Sequence, residues 1–321
     1  SKVSKNTLVN YIKKTSGNIY LDDSSIINNK SLQILQTIDH IKLFSSLNPF
    51  DFGKISYLHS QNDILAAGGK AKSLSVSLSV PFSENFVEKF YLEYFMEGIK
   101  FEANKNDCVI SSGHSYQSQE PGITLTLNGE IESNFSKNSA KVGDLIYLSK
   151  PLGTGYLLAA YFNNSGKLSS NDFERILNSL KKGNFYAVNS ARNSGSQTMT
   201  DISGFGLSSH LIDICLSSSL SSELILSPDM LINSNIDLLK EFKSTGFKNN
   251  YKSSRDYIKI SENHPLKNIL FDPQTNGPML IAINKQNQKK FENYFSKKSD
   301  TKPILIGRFI NKLEKAIYVS E

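Results

Sequence analysis

The residues with the clearest chemical content are aspartates beside glycine turns. Thr200-Asp201-Ile202-Ser203-Gly204-Phe205-Gly206 sets a carboxylate at the head of a Gly-x-Gly turn, and Leu207, Leu211, Ile214 and Cys215 then recur at helical spacing. Glycine lets backbone approach a ligand closely, and the amides of a helix N-terminus attract anions. A carboxylate beside an anion site makes sense when a cation lies between them. The segment therefore reads as Asp201–Mg²⁺–phosphate, or as a plain turn with a helix cap. Other acids stand where strand-like runs stop: Asp22-Asp23 before Ser24-Ser25-Ile26-Ile27, Asp39 after Ile34 to Ile38, and Asp63 before Ile64-Leu65-Ala66-Ala67-Gly68-Gly69. A hard cation such as Mg²⁺ takes oxygen ligands, usually a few carboxylates together with phosphate oxygens. Several separated acids converging on one nucleotide satisfy that requirement; taken singly, each also reads as a cap.

Two further segments carry glycines at a strand end. Gly113-His114-Ser115 follows the apolar run Cys108-Val109-Ile110 and offers backbone amides to a phosphate or an adenine edge. His114 fits a hydrogen-bonded structural histidine as well as an acid–base role. Lys150-Pro151-Leu152-Gly153-Thr154-Gly155 is a glycine loop, but the phosphate-loop pattern Gly-x-x-x-x-Gly-Lys-Ser/Thr occurs nowhere in the chain. Asp272-Pro273-Gln274-Thr275-Asn276-Gly277 reads as a structural turn leading into a strand.

The elements that must position these residues alternate between two periods. Leu74, Val76, Leu78 and Val80 alternate over 73–81, a strand with one buried face. Phe86, Val87, Phe90, Tyr91, Tyr94 and Phe95 recur at helix spacing over 84–97, with Gly98 placed to end that helix. Cys108-Val109-Ile110 is predicted as a short buried strand broken by Gly113. Ile123 to Leu127 alternate again, and Asn128-Gly129 predicts a hairpin turn. A polar stretch at 130–142 predicts a domain boundary near 140, giving domains 1–140 and 141–321. Beyond it come a strand at 145–148, a helix at 156–162, a loop at 163–171, a mostly helical 172–195, and strands around Leu280–Ile283 and Ile304–Ile306 flanking a helix. The whole predicts an α+β (mixed α/β) chain in two halves.

Composition narrows the function classes. The chain has 321 residues, 39 % hydrophobic and 21 % charged, enough to bury a real core. No apolar run reaches the roughly 20 residues of a membrane span, and the N-terminus has no hydrophobic signal core. The net charge of +6 is spread over scattered lysines, without zinc-finger spacing or an aromatic–basic RNA motif, so nucleic-acid and membrane partners are not expected. The two cysteines, Cys108 and Cys215, sit in apolar contexts and predict core residues of a reduced, cytoplasmic protein. The chain begins with Ser1-Lys2-Val3 rather than methionine, which predicts a processed protein or a domain of a longer one.

Six segments in order resemble selenophosphate synthetase of the aminoimidazole-ribonucleotide synthetase superfamily. They are Asn48-Pro49-Phe50-Asp51-Phe52-Gly53, Asp63 to Lys70, Gly113-His114-Ser115 with Glu120-Pro121, Lys150 to Gly155, Met199-Thr200-Asp201 through Gly206, and Asp272-Pro273-Gln274-Thr275. The resemblance implies a two-domain fold: an N-terminal ATP-binding domain whose sheet helps form a homodimer, and a C-terminal α+β domain closing over the nucleotide. It implies Mg-ATP held by aspartates at the domain interface, with Asp23, Asp63 and Asp201 as magnesium ligands. Asp22, Asp39, Asp63 and Gly113-His114-Ser115 fall with the nucleotide-contacting residues, and Arg255 with an arginine of the C-terminal domain. Lys2-Val3-Ser4 is similar to the lysine segment ending the family's N-terminal arm, which makes Lys2 the implied catalytic lysine, stabilising developing phosphate charge.

The implied activity is conversion of ATP, selenide and water to selenophosphate, AMP and phosphate. The family's reactive cysteine or selenocysteine would fall before Ser1, and Gln117 stands where the family carries an acid. Two alternatives stay open: a superfamily kinase with another acceptor, and a degenerate nucleotide-binding or regulatory domain fused to a flavin/pyridine-nucleotide oxidoreductase.

Overall fold

A computed structural model describes residues 24–29, 32–44, 47–163 and 166–320. The chain divides into two compact units, one built on residues 23–134 with 181–183, the other on 135–180 with 184–321.

The first unit is a five-stranded sheet with two long helices on one face. Its strands are β1 (Ser25–Asn29), β2 (Leu32–Lys42), β3 (Gly69–Val80), β4 (Val109–Gln117) and β5 (Gly122–Ile131), in the order β1-β2-β5-β3-β4. All pairings are antiparallel except β3 with β4, which needs a crossover. That crossover is helix α2 (Asn85–Lys105), and helix α1 (Pro49–Ala66) links β2 to β3. The alternation in β3 buries Leu74, Val76, Leu78 and Val80, joined by Ile123, Leu125 and Leu127 of β5. Phe52, Ile55 and Ile64 of α1 and Phe95 and Ile99 of α2 complete this core, with Phe52 and Phe95 rings 5.3 Å apart. Each such side chain contributes about 1.5–3 kcal/mol of burial.

Local chemistry sets the ends of α1. The Asn48 side chain accepts the Phe50 amide at 2.8 Å, and Pro49 occupies the first helical position, where its missing N–H costs nothing. Gly98 does not end α2; the helix runs through it to Lys105. A Cβ on Gly98 would sit 2.1 Å from the Phe50 carbonyl oxygen and 3.0 Å from the Gly53 Cα, so this glycine lets the two helices approach. Asn128-Gly129 does not form a hairpin: β5 continues to Ile131, because both residues are paired to β2 on one side and β3 on the other. Likewise β4 is not broken at Gly113 and is largely exposed, being the edge strand.

The second unit has a seven-stranded sheet. Its strands are β6 (Leu145–Leu148), β7 (Thr198–Asp201), β8 (Leu220–Leu224), β9 (Ile258–Lys259), β10 (Met279–Ile283), β11 (Ile304–Asn311) and β12 (Ile317–Val319), in the order β7-β10-β6-β11-β8-β12-β9. The pairings are antiparallel from β7 to β8, and β12 is parallel to both its neighbours. Its helices are α3 (Thr154–Phe162), α4 (Ser170–Leu180), α5 (Phe185–Asn193), α6 (Gly206–Ser217), α7 (Ile236–Glu241), α8 (Phe247–Ser254) and α9 (Gln288–Lys298). Cys108 in the first unit and Cys215 in the second are free and buried. Among the described residues no helix is long and apolar enough to cross a membrane.

Candidate functional site

In the first unit, Asp63 lies in the last turn of α1, a helix where the sequence pattern predicts the edge of a strand. The apolar run Ile64-Leu65-Ala66 finishes that helix instead, packed against the sheet. The Asp63 carboxylate accepts the Thr37 hydroxyl at 2.6 Å, and its carbonyl accepts the Ser24 hydroxyl at 2.8 Å. Thr37 sits in β2, and Asp39, two residues on, shares its face of the strand. Asp39 does not end the strand, which continues to Lys42 with Asp39 opposite Leu125. The helix end and the strand thus bring two of the predicted carboxylates and a buried hydroxyl to one face. Thr37 and Ser24 escaped sequence reasoning, because hydroxyls are common here and nothing local marks these two. Asp22, Asp23 and Lys2 lie outside the described residues.

Gly113, His114 and Ser115 lie in the exposed edge strand β4, opposite Val76, Ser77 and Leu78. His114 stacks on Tyr116, ring centroids 6.2 Å apart. At the end of β4 the Gln117 amide donates to the Glu88 carboxylate of α2. A carboxylate at 117 would face Glu88 as a like charge, which gives the neutral side chain a local physical reason.

In the second unit, Asp201 ends β7, buried, opposite Met279 of β10. The turn that follows it is held from several sides. Gly206, the first residue of α6, has φ +76°, and a Cβ there would come within 3.0–3.1 Å of backbone atoms of Leu270, Phe271 and Asp272. The Ser203 amide donates to His210 Nε2 at 3.3 Å, which leaves the ring proton on Nδ1, 3.4 Å from the Thr200 hydroxyl. Asn250 of α8 donates to both the Gly204 and Phe271 carbonyls at 3.0 Å. The Gln274 amide donates to the Ser203 carbonyl, and the Ile202 amide to that of Pro278. His210 and Asn250 were not legible as anchors, since each acts on backbone distant in sequence or hidden in a turn.

The two remaining motifs lock onto each other. Gln274 Oε1 accepts the amides of Gly153 and Thr154 at 2.9 and 3.2 Å and the Thr154 hydroxyl at 3.1 Å. Asp272 Oδ2 accepts the Gly155 amide at 3.2 Å and the Gln274 side-chain amide at 2.9 Å. Burial pushes the Asp272 carboxyl up to about 7, against the opposing pull of the Tyr156 and Gly155 amides and of Gln274. The N-terminus of α3 is therefore already capped by protein. At α6 the N-cap residue is Phe205, whose side chain cannot cap. There the Gly206 amide turns back to the Ser203 carbonyl at 3.1 Å, so the two helix starts differ in that α6 has no side-chain cap. Arg255 is exposed, 3.6 Å from Asp256 and 5.8 Å from the Tyr251 ring, apart from the motifs above.

Two α+β units, one with a carboxylate at a helix end beside another on the adjoining strand, the other with a buried aspartate heading a glycine turn, define a two-domain synthetase-type fold. The chain belongs to the AIR synthase related protein family: residues 21–131 match its N-terminal domain and residues 141–320 its C-terminal domain. Among curated proteins, selenide, water dikinase of Shewanella sp. (strain MR-7) is 28 % identical over 295 residues, 91 % of this chain and 82 % of that protein. The protein of the same name from Shewanella sp. (strain W3-18-1) is 30 % identical over 271 residues, covering 83 % and 75 %. Among solved structures, thiamine monophosphate kinase from Aquifex aeolicus matches with a TM-score of 0.70 at 19 % identity, over 98 % of this chain and 96 % of that one. Hydrogenase maturation protein HypE in complex with ATP matches with a TM-score of 0.63 at 14 % identity, covering 93 % and 84 %. These structural likenesses carry the fold.

Proposed function

We propose that this chain is an ATP-dependent phosphotransferase of the selenide, water dikinase type, converting ATP, selenide and water to selenophosphate, AMP and phosphate. The observation that carries the reading is the similarity to curated selenide, water dikinases at 28–30 % identity across most of both chains. The six ordered motifs and the packing of Asp63 and Asp201 support it.

The proposed magnesium ligands are Asp23, Asp63 and Asp201. The proposed nucleotide-contacting residues are Asp22, Asp39, Asp63, Gly113, His114 and Ser115, and Lys2 is the proposed catalytic lysine. The donor chemistry fits Mg²⁺. Asp63 offers a carboxylate oxygen ligand held by the Thr37 hydroxyl, and among the described residues no group of three or more His, Cys, Asp or Glu forms an all-protein cage. Mg²⁺ is commonly held by one or two carboxylates together with substrate phosphates and waters. Bound there, the ion would neutralise charge developing on the phosphates. Thr37 orients the Asp63 carboxylate, and the tie from His210 to Ser203 together with the Asn250 bridge fixes the turn after Asp201. The open face of the five-stranded sheet, where Ile38 of β2 and Tyr116 of β4 are exposed, is the proposed homodimer surface. Magnesium-dependent release of AMP from ATP, with and without selenide, tests the reading; ATP consumption unchanged by selenide would overturn it.

A further inference from the structure

The second unit holds a cavity of about 470 Å³ between α7, α8 and the 3₁₀ segment Lys267–Phe271. None of the proposed kinase residues lines it. Its floor is aromatic: the Phe247 and Tyr251 rings, one helical turn apart on α8, lie 8° from parallel with centroids 6.5 Å apart. Both rest edge-on against buried Phe271, at 6.0 and 5.0 Å, and Asn250 ties α8 to the Phe271 carbonyl, so the floor is preformed.

The walls are cationic. Lys240, Lys243 and Lys267 line the cavity against a single lining carboxylate, Glu262, which pairs with Lys267. Lys243 sits 5.3 Å from the Phe247 ring and Lys267 5.7 Å from the Tyr251 ring, placing ammonium groups directly beside the flat floor. His264 adds a ring N–H: its Nδ1 accepts the Leu266 amide at 3.2 Å, which leaves Nε2 as the donor. Lys240 also lies 3.8 Å from Asp237, outside the lining, so the walls keep a net positive charge led by Lys243; flat apolar rings with that charge and a ring N–H donor match a planar ring bearing a phosphate. The volume lies within the range of small-molecule sites, of the order of 300–1,000 Å³.

We infer that this cavity binds a small organic phosphate carrying a flat ring, of mononucleotide size. The inference stands apart from the kinase reading. AMP is the probe, with hydrogen–deuterium exchange as a local readout and calorimetry for affinity, both run with Mg²⁺ and a non-hydrolysable ATP analogue saturating any other nucleotide site. AMP is expected to protect residues 240–268, and adenosine and ribose 5-phosphate each to bind at least about tenfold more weakly. Reversing two charges, Lys240→Glu with Lys243→Glu, is expected to weaken AMP at least about tenfold. Both lysines are exposed, so the double variant should melt with the wild-type protein. Absence of protection at 240–268, equal binding of ribose 5-phosphate, or undiminished affinity in the folded double variant would each overturn the inference.

Discussion

Gln274 and Thr154, 120 residues apart, share two hydrogen bonds: Gln274 Oε1 accepts both the Thr154 amide, at 3.2 Å, and its hydroxyl, at 3.1 Å. With the Gly153 amide as a third donor, one side-chain oxygen satisfies the start of α3. Gln274→Ala leaves these buried donors without their acceptor and is expected to cost about 2–4 kcal/mol, read from urea denaturation. A loss below about 0.5 kcal/mol would mean that water or a neighbour replaces the bond.

Asp272 gives the second unit a pH signature. Its ordinary value of 3.8 rises to about 7 in the fold, and its Oδ1 has no hydrogen-bond partner among the described residues. A raised carboxyl contributes stability that is fully present below the unfolded value and lost as pH rises through the folded one. The window is therefore from about 4 to about 7, with an upper magnitude on the order of 4 kcal/mol. Asp272→Asn mimics the protonated acid, so the difference in stability between variant and wild type should grow in the variant's favour from pH 5 to pH 8. Parallel melting curves at both pH values would contradict this.

Gly98→Ala forces a Cβ to 2.1 Å from the Phe50 carbonyl oxygen and should cost about 2–3 kcal/mol. Gly113→Ala, whose Cβ meets only the Val76 carbonyl oxygen at 3.4 Å, should change stability by less than about 0.5 kcal/mol. Thermal melts of the pair separate a packing glycine from an open one, and equal losses would refute the distinction.

Thr37→Val removes the hydroxyl that holds the Asp63 carboxylate while keeping the side-chain shape. Magnesium dependence of ATP turnover should shift about 10–100-fold toward higher Mg²⁺, with the melting temperature changed little. An unshifted magnesium curve would remove Thr37 from the account.

Much of this was legible from residue types and spacing. The alternation in β3, the helical stripe of α2 and the Asp201 turn with its helix all follow from local pattern. The misreadings share a cause. Gly98 and Asn128-Gly129 carry the local marks of a helix end and a hairpin, but a close helix crossing and two-sided strand pairing decide their roles. Asp63 follows the same rule, since a short apolar run that ends at Gly68-Gly69 fits a strand edge and a helix end equally. The grip of Gln274 on α3 was invisible because it spans 120 residues and uses a side chain that no periodicity marks.

The central claim rests on Asp63 and Asp201 serving Mg-ATP chemistry. The most direct measurement is magnesium-dependent AMP release from ATP in the presence of selenide, comparing the wild-type chain with Asp63→Asn and Asp201→Asn, each verified as folded by circular dichroism. The account predicts selenide-dependent AMP release in the wild type and a fall of about 100-fold or more in each variant; undiminished release in both folded variants would contradict it.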